Sequence, residues 1–364
     1  MLWVGGEQPQ PHHATVYLDF EGGMVTPGVD AAEAEGSCVE GEGFIYPGFP
    51  GTATQADAIG EMAQELLSEY GVRVVWDSPP PAHLPYARVM MGGRPEDLGL
   101  DPSRGGVACV IDCDDTWARD MAFVFAGQGN PGNAELLART AVHEVAHTWG
   151  LEHVEGQGNL MSDFSTNEGQ TFARTCVSLS AGNECAEVHE RFCPPGEQNS
   201  HAELLALFGP NEPDTTPPTV EILSPEDGLH VPPGTELEVE VEVSDDFGGF
   251  GWKFAVPELS WEHVATNGET SLVLAFPEGA FTIVVEAIDH DRNVAQDSVS
   301  VRVDRDEDGT GTDTATDTGD DAALGEPVAS CACGAGVRDS GLSWPLLLML
   351  FAPVRRPSSR RRFP

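Results

Sequence analysis

The sequence predicts a mixed α/β domain followed by a small all-β sandwich, and three observations carry that expectation. At 364 residues the chain is long enough for two domains that each bury a core. Strand-like and helical periods alternate up to about residue 210, whereas only strand-like runs divided by turn residues follow from 214. Beyond Asp304 the composition narrows to Asp, Thr and Gly, which cannot bury a core. The expected boundaries are therefore 14–212 and 215–304 for the two domains, 305–329 for an acidic linker and 330–364 for a C-terminal segment.

Within the first domain, residues 15–20 alternate as a strand does. Ile59, Met62, Ala63, Leu66, Leu67 and Tyr70 recur at helical spacing and predict an amphipathic helix over 55–70. Short β-like runs follow at 72–76, 88–91 and 121–125. A second helix is expected over 134–149, with Asn133 as its N-cap and Gly150 as its stop, and a short closing helix over 201–208. In the second domain strand-like runs fall at 219–223, 236–243, 271–276, 281–287 and 298–303, with turns at Pro225 to Gly228 and Pro232 to Gly234.

The formal charge of -42, from 60 acidic residues against 18 Lys and Arg, excludes nucleic-acid binding, since such a surface repels phosphates and has no counterions to release. Six of the eight cysteines (Cys38, Cys109, Cys113, Cys176, Cys185, Cys193) lie within the first domain and are compatible with three disulfides. Fifteen connectivities are open to six cysteines, and Cys176, Cys185 and Cys193 are expected to staple the later loops of that domain. Free thiols inside a cell are the alternative. No apolar export segment follows Met1-Leu2-Trp3-Val4, so a secreted chain would be expected to start further upstream.

The chemistry concentrates in His143-Glu144-Val145-Ala146-His147-Thr148-Trp149-Gly150-Leu151-Glu152-His153. His143 and His147 are one helical turn apart, so both imidazoles leave the same face and can share one metal ion. Gly150 can adopt the left-handed conformation that ends the helix and lets His153 approach from another direction. Three histidines leave a fourth coordination position open, the pattern of a catalytic zinc site. Glu144 points toward that open position, and Glu152 is expected to face solvent. His12, His13, His83, His189, His201, His230, His263 and His290 lack a partner at ligand spacing and read as structural or surface residues.

This segment resembles the long zinc motif of metzincin metallopeptidases, H-E-x-x-H-x-x-G-x-x-H, at every fixed position. Asn159-Leu160-Met161-Ser162-Asp163 resembles the Met-turn of that family, and the short link from His153 to Met161 is most like the matrixin group. The resemblance implies an α+β metzincin-like catalytic domain, with a twisted mixed sheet plus an active-site helix. It also implies one catalytic Zn2+ held by His143, His147 and His153, Met161 as a structural floor beneath it, and Glu144 as general base in peptide-bond hydrolysis. An edge strand near 121–125 is expected to receive an extended protein or peptide substrate and to supply a backbone N–H for the oxyanion. There is no cysteine-switch motif upstream, and Asp163 stands where some metzincins place a tyrosine.

Two further resemblances concern the rest of the chain. Pro217 to Pro225 together with Ala287 to Ala295 resembles bacterial immunoglobulin-like modules, which implies an Ig-like β-sandwich acting as a spacer or binding module. Ser330-Cys331-Ala332-Cys333, an apolar run from Leu342 and a terminal arginine cluster resemble the MYXO-CTERM sorting signal. That signal implies transient membrane contact and an extracellular or outer cell-surface location. Asp304, Asp306 and Asp308 begin a calcium-loop pattern, but Ala315 occupies the position of its bidentate Glu, so Ca2+ is not supported there. Nothing in the sequence fixes an oligomeric state. The alternatives to an endopeptidase are a binding protein that holds zinc without turnover and a hydrolase of a non-peptide bond. The intact Glu144 argues against the first.

Overall fold

The structure, a computed structural model, describes residues 11–127, 132–162, 170–265 and 268–305. Met1 to Val4, Asp163, nearly all of the acidic linker and the C-terminal segment lie outside the described residues, and with them the expected sorting signal. The described chain is mostly β, with four α-helices.

The N-terminal part opens with β1 (Ala14–Asp19), whose six residues are all buried. A small three-stranded sheet follows from β2 (Gly23–Pro27), β3 (Glu35–Gly36) and β4 (Phe44–Tyr46). Helix α1 (Ala53–Leu66) starts at a capping box, in which Thr52 accepts from Gln55 N and Gln55 accepts from Thr52 N. Next come β5 (Val72–Val75), β6 (Ala87–Gly92), β7 (Gly106–Ala108) and β8 (Met121–Phe125), then α2 (Ala134–His147). The main sheet has the order β5-β1-β6-β8-β7; its first four strands are parallel and β7 runs antiparallel to β8. Such a sheet needs cover, and α1 and α2 supply it: Ile59, Ala63, Ala138, Ala141 and Val145 pack on Val16, Val89 and Val124.

After α2 the chain is irregular, with β9 (Val177–Ser178), α3 (Ala186–His189), β10 (Glu197–Gln198) and α4 (Ser200–Phe208). Three disulfides tie this part together: Cys38–Cys109, Cys113–Cys185 and Cys176–Cys193. Cys176 and Cys193 close a local loop as expected, whereas Cys185 reaches back across 72 residues to Cys113. Three disulfides suggest an extracellular protein. No helix among the described residues is long and apolar enough to cross a membrane.

The second part is a two-sheet sandwich with its own core. One sheet contains β11 (Thr219–Ser224), β13 (Glu236–Ser244) and β16 (Ser271–Ala275). The other contains β12 (Leu229–Val231), β14 (Gly251–Val256), β15 (Trp261–Val264), β17 (Gly279–Ile288) and β18 (Val294–Val303). In β13 the glutamates at 236, 238, 240 and 242 face outward while Leu237, Val239 and Val241 are buried, so the period of two decides the face. Those residues meet Phe254, Ile283, Val285 and Val301 in the core. The sandwich docks on the first part through polar contacts: Thr15 Oγ1 with His290 Nδ1 at 2.7 Å, and His13 Nδ1–H donating to Asp291 at 2.8 Å.

Candidate metal centre

Helix α2 is placed by its apolar face. Asn133 caps it by accepting from Leu136 N, and Leu137, Ala138, Ala141, Val142 and Val145 are buried against the core. That burial fixes the rotation of the helix and turns His143, Glu144 and His147 toward β7 and the loop that follows. The helix ends as its sequence requires. Gly150 has φ +90°, and a Cβ there would lie 3.0 Å from Cys113 Cα, so conformation and space both demand glycine. The chain then folds back through Leu151, fully buried, and presents His153.

The three histidines converge. Their Nε2 atoms are 3.1 Å (143–147), 3.1 Å (143–153) and 3.2 Å (147–153) apart. A tetrahedral ion with metal–nitrogen bonds of about 2.0–2.1 Å sets its nitrogens about 3.3 Å apart, so the donor set fits zinc closely. The far nitrogens are held: His143 Nδ1–H donates to Leu160 O at 2.7 Å, and His147 Nδ1–H donates to Leu151 O at 2.6 Å. These bonds leave each Nε2 lone pair facing the common point. Burial, then the neighbouring His143 and His153, push His147 down to about 3, so it stays a neutral donor. The three expected ligands are therefore brought together, and Glu144 follows His143 on the same helix.

Glu144 is buried, and burial pushes its carboxyl up to about 8, against hydrogen bonding from Ala108 N–H and the charge of Arg104. A Cβ on Gly106 would lie 2.6 Å from Glu144 Cγ and 2.7 Å from its Oε1, so the strand has to be glycine where the carboxylate passes. Here the expectation of an edge strand at 121–125 is corrected. Strand β8 lies between β6 and β7 and all five of its residues are buried; the edge beside Glu144 is β7. Three residues with one Gly gave no strand signal, and only pairing with β8 makes them a strand. Met161 is 1% exposed within the apolar core, and its carbonyl accepts from Val154 N at 2.9 Å.

Glu152 overturns a second expectation. Its side chain is 2% exposed rather than solvated. Its carboxylate accepts from His189 Nε2–H at 3.0 Å and from Glu184 N at 2.8 Å, while Glu152 N donates to Gln198 Oε1 at 2.7 Å. His189 also donates through Nδ1 to Glu203 at 2.9 Å. Burial alone would lower His189, but the two carboxylates win and hold it up at about 9. The residue beside His153 is thus locked to α3 and α4. Nothing in the sequence pairs positions 152, 189 and 203, because the contact is purely tertiary.

Two further groups of acidic side chains lie close enough to share a cation among the described residues: Asp112, Asp115 and Asp120, and Asp214, Asp245 and Asp289. The second group lies where the sandwich begins, with Asn293 donating to Asp289 and to Asp214 O.

No family model and no curated protein matches the chain. Parts of it are similar to solved structures. The fibronectin(III)-like modules of Clostridium thermocellum CbhA match at 23% identity over 24% of this chain and 47% of that one, with a TM-score of 0.22. The match therefore spans about half the length of that protein. The PKD1 domain of Vibrio anguillarum Epp matches at 12% identity over 25% of this chain and 98% of that one, with a TM-score of 0.20. Wild-type OgpA from Akkermansia muciniphila matches at 12% identity over 82% of this chain and 94% of that one, also at 0.20. At such scores none of them bears on the chemistry of the site.

Proposed function

We propose that the protein is a zinc-dependent endopeptidase of the metzincin type, acting on extracellular protein or peptide. One observation carries the reading: three imidazole Nε2 atoms within 3.1–3.2 Å of one another, with a buried Glu144 next to His143 on the helix that carries two of them. His143, His147 and His153 would hold the ion. A zinc ion so bound supplies a lowered pKa for water and polarises the scissile carbonyl.

The chain's own residues do the rest. Glu144 accepts the proton of the attacking water and returns it to the leaving amine. Strand β7 offers an outer edge on which an extended peptide can add as a further strand, placing a scissile bond beside Glu144. Leu160 O and Leu151 O orient two of the ligands, and Met161 fills the floor.

The test is hydrolysis of a quenched peptide library by the full chain beside Glu144→Ala, with zinc content measured for both. Cleavage by the first alone, abolished by a chelator and restored by zinc, supports the reading. One zinc per chain without cleavage by either refutes the peptidase and favours a zinc-holding binding protein.

A further inference from the structure

The loop between β7 and β8 holds a second site. Asp112, Asp115 and Asp120 each place a carboxylate oxygen within 4.8 Å of the others. Asp115 and Asp120 are buried, and Asp112 is half-buried. Three carboxylates gathered this way repel one another and lose hydration, which burial rarely tolerates without a cation. His12, whose Nε2–H donates to Asp115 at 2.9 Å, is the sole basic partner of the trio among the described residues. Nearby Arg119 and Arg191 are engaged elsewhere, with Asp30 and Asp114.

The independent sign is at Asp120. This residue is 9% exposed, and its Oδ2 is buried and accepts no hydrogen bond among the described residues. Buried carboxylate oxygens are paired almost without exception, so an orphan calls for a partner. Burial, then Asp115 and Asp112, push its carboxyl up to about 9. Asp115 and Asp120 both line a small cavity of about 10 Å³, together with His12, Trp149 and His290. That is room for about one water-sized sphere, and a calcium ion is smaller.

We infer that Asp112, Asp115 and Asp120 bind a calcium ion that braces the turn of the histidine motif. All three ligand types are hard oxygens, which excludes a thiolate- or imidazole-seeking metal. Calcium–oxygen distances of about 2.3–2.6 Å place opposite ligands up to about 5 Å apart, which accommodates a spread of up to 4.8 Å. Magnesium, at about 2.0–2.1 Å, draws them to about 4 Å. The link to the histidines is direct. A Cβ on Gly150 would meet Cys113 Cα at 3.0 Å and Asp112 O at 3.2 Å, so the acidic loop packs against the turn between His147 and His153. Cys113 in the same loop is bonded to Cys185, and Trp149 lines the cavity. Occupancy of the acidic site therefore stiffens the backbone that carries the third histidine. Calcium binding does not depend on the peptidase reading, and its readouts do not use activity.

The experiment uses the full chain carrying one equivalent of zinc. It measures the melting temperature in calcium-free buffer and with calcium chloride, and terbium luminescence excited through tryptophan. Wild type is expected to melt about 5 °C higher at saturating calcium, and to show tryptophan-sensitised terbium emission that calcium displaces. Asp120→Asn removes one anionic oxygen ligand at constant shape. It is expected to lose one calcium site, to lose most of the thermal response, and to melt no lower than wild type without calcium. Asp115→Asn, whose amide oxygen still accepts from His12, repeats the test should the first variant fail to fold. Zinc transfer to a chromophoric chelator should be several-fold faster without calcium in wild type and insensitive to calcium in either variant. An equal calcium response in wild type and variant overturns the inference, as does displacement of terbium by magnesium as readily as by calcium.

Discussion

The buried array Glu152–His189–Glu203 makes a prediction whose size follows from the structure. His189 is 1% exposed and lies between two carboxylates at 3.0 and 2.9 Å. Its pKa is raised from 6.5 to about 9, with burial opposing and the two carboxylates prevailing. A folded-state pKa above the unfolded one means the folded chain holds the proton more tightly. The stabilisation is therefore complete below about pH 6.5 and is lost as pH rises through about 9. A rise of that size corresponds to about 3 kcal/mol. The perturbation is Glu152→Gln together with Glu203→Gln, which leaves the shapes and removes the charges that hold the proton. Urea unfolding with disulfides intact, from pH 6 to pH 9.5, gives stability curves for both proteins. The wild-type advantage should be constant up to pH 6.5 and fall by about 3 kcal/mol by pH 9.5. Parallel curves across that range would show that His189 carries no proton linked to folding, and the reasoning would fail.

Three other outcomes follow from the same contacts. Gly150→Ala imposes a side chain at φ +90° and 3.0 Å from Cys113 Cα; it should cost about 1–3 kcal/mol in denaturant unfolding and weaken zinc retention in dialysis. Cys113→Ala with Cys185→Ala opens a link across 72 residues and should lower stability by up to about 4 kcal/mol, read as the urea midpoint under non-reducing conditions. Met161→Ala deletes a fully buried side chain and should cost about 2–5 kcal/mol; if the three histidines hold the zinc as proposed, zinc content per chain stays at the wild-type value by atomic absorption.

What the sequence reveals depends on how local the cause is. The two long helices are written in a period of 3.6 and the strands of the parallel sheet in alternation or short β-like apolar runs, so α1, α2, β1, β5, β6 and β8 all fall where their patterns place them, within a few residues at the ends. The histidine set is legible for the same reason: a helical turn joins 143 to 147, and a glycine turn delivers 153. The edge at β7, the burial of Glu152 and the partner of Cys185 are different in kind. Each is decided by a residue outside its local stretch of chain: β7 by pairing with β8, Glu152 by His189 and Glu203, Cys185 by Cys113. A reading by spacing places Glu152 in water because it treats the turn after Gly150 as surface. The chain instead covers that turn with α3 and α4.

These non-local contacts share a direction. Helix α2 fixes His143, Glu144 and His147 with one rigid element, but His153 hangs on a turn that has no regular structure of its own. Three separate constraints meet on that turn: the Asp112–Cys113 backbone packed against Gly150, the Glu152 carboxylate locked by His189, and Gln198 exchanging hydrogen bonds with the Glu152 backbone. A ligand on an irregular segment loses metal affinity unless its backbone is fixed before the ion arrives. Of the far-reaching contacts that spacing missed, those of Glu152 and Cys185 fix the turn that carries the third histidine of the proposed zinc site, and the local ones that spacing found are those that the helix supplies unaided.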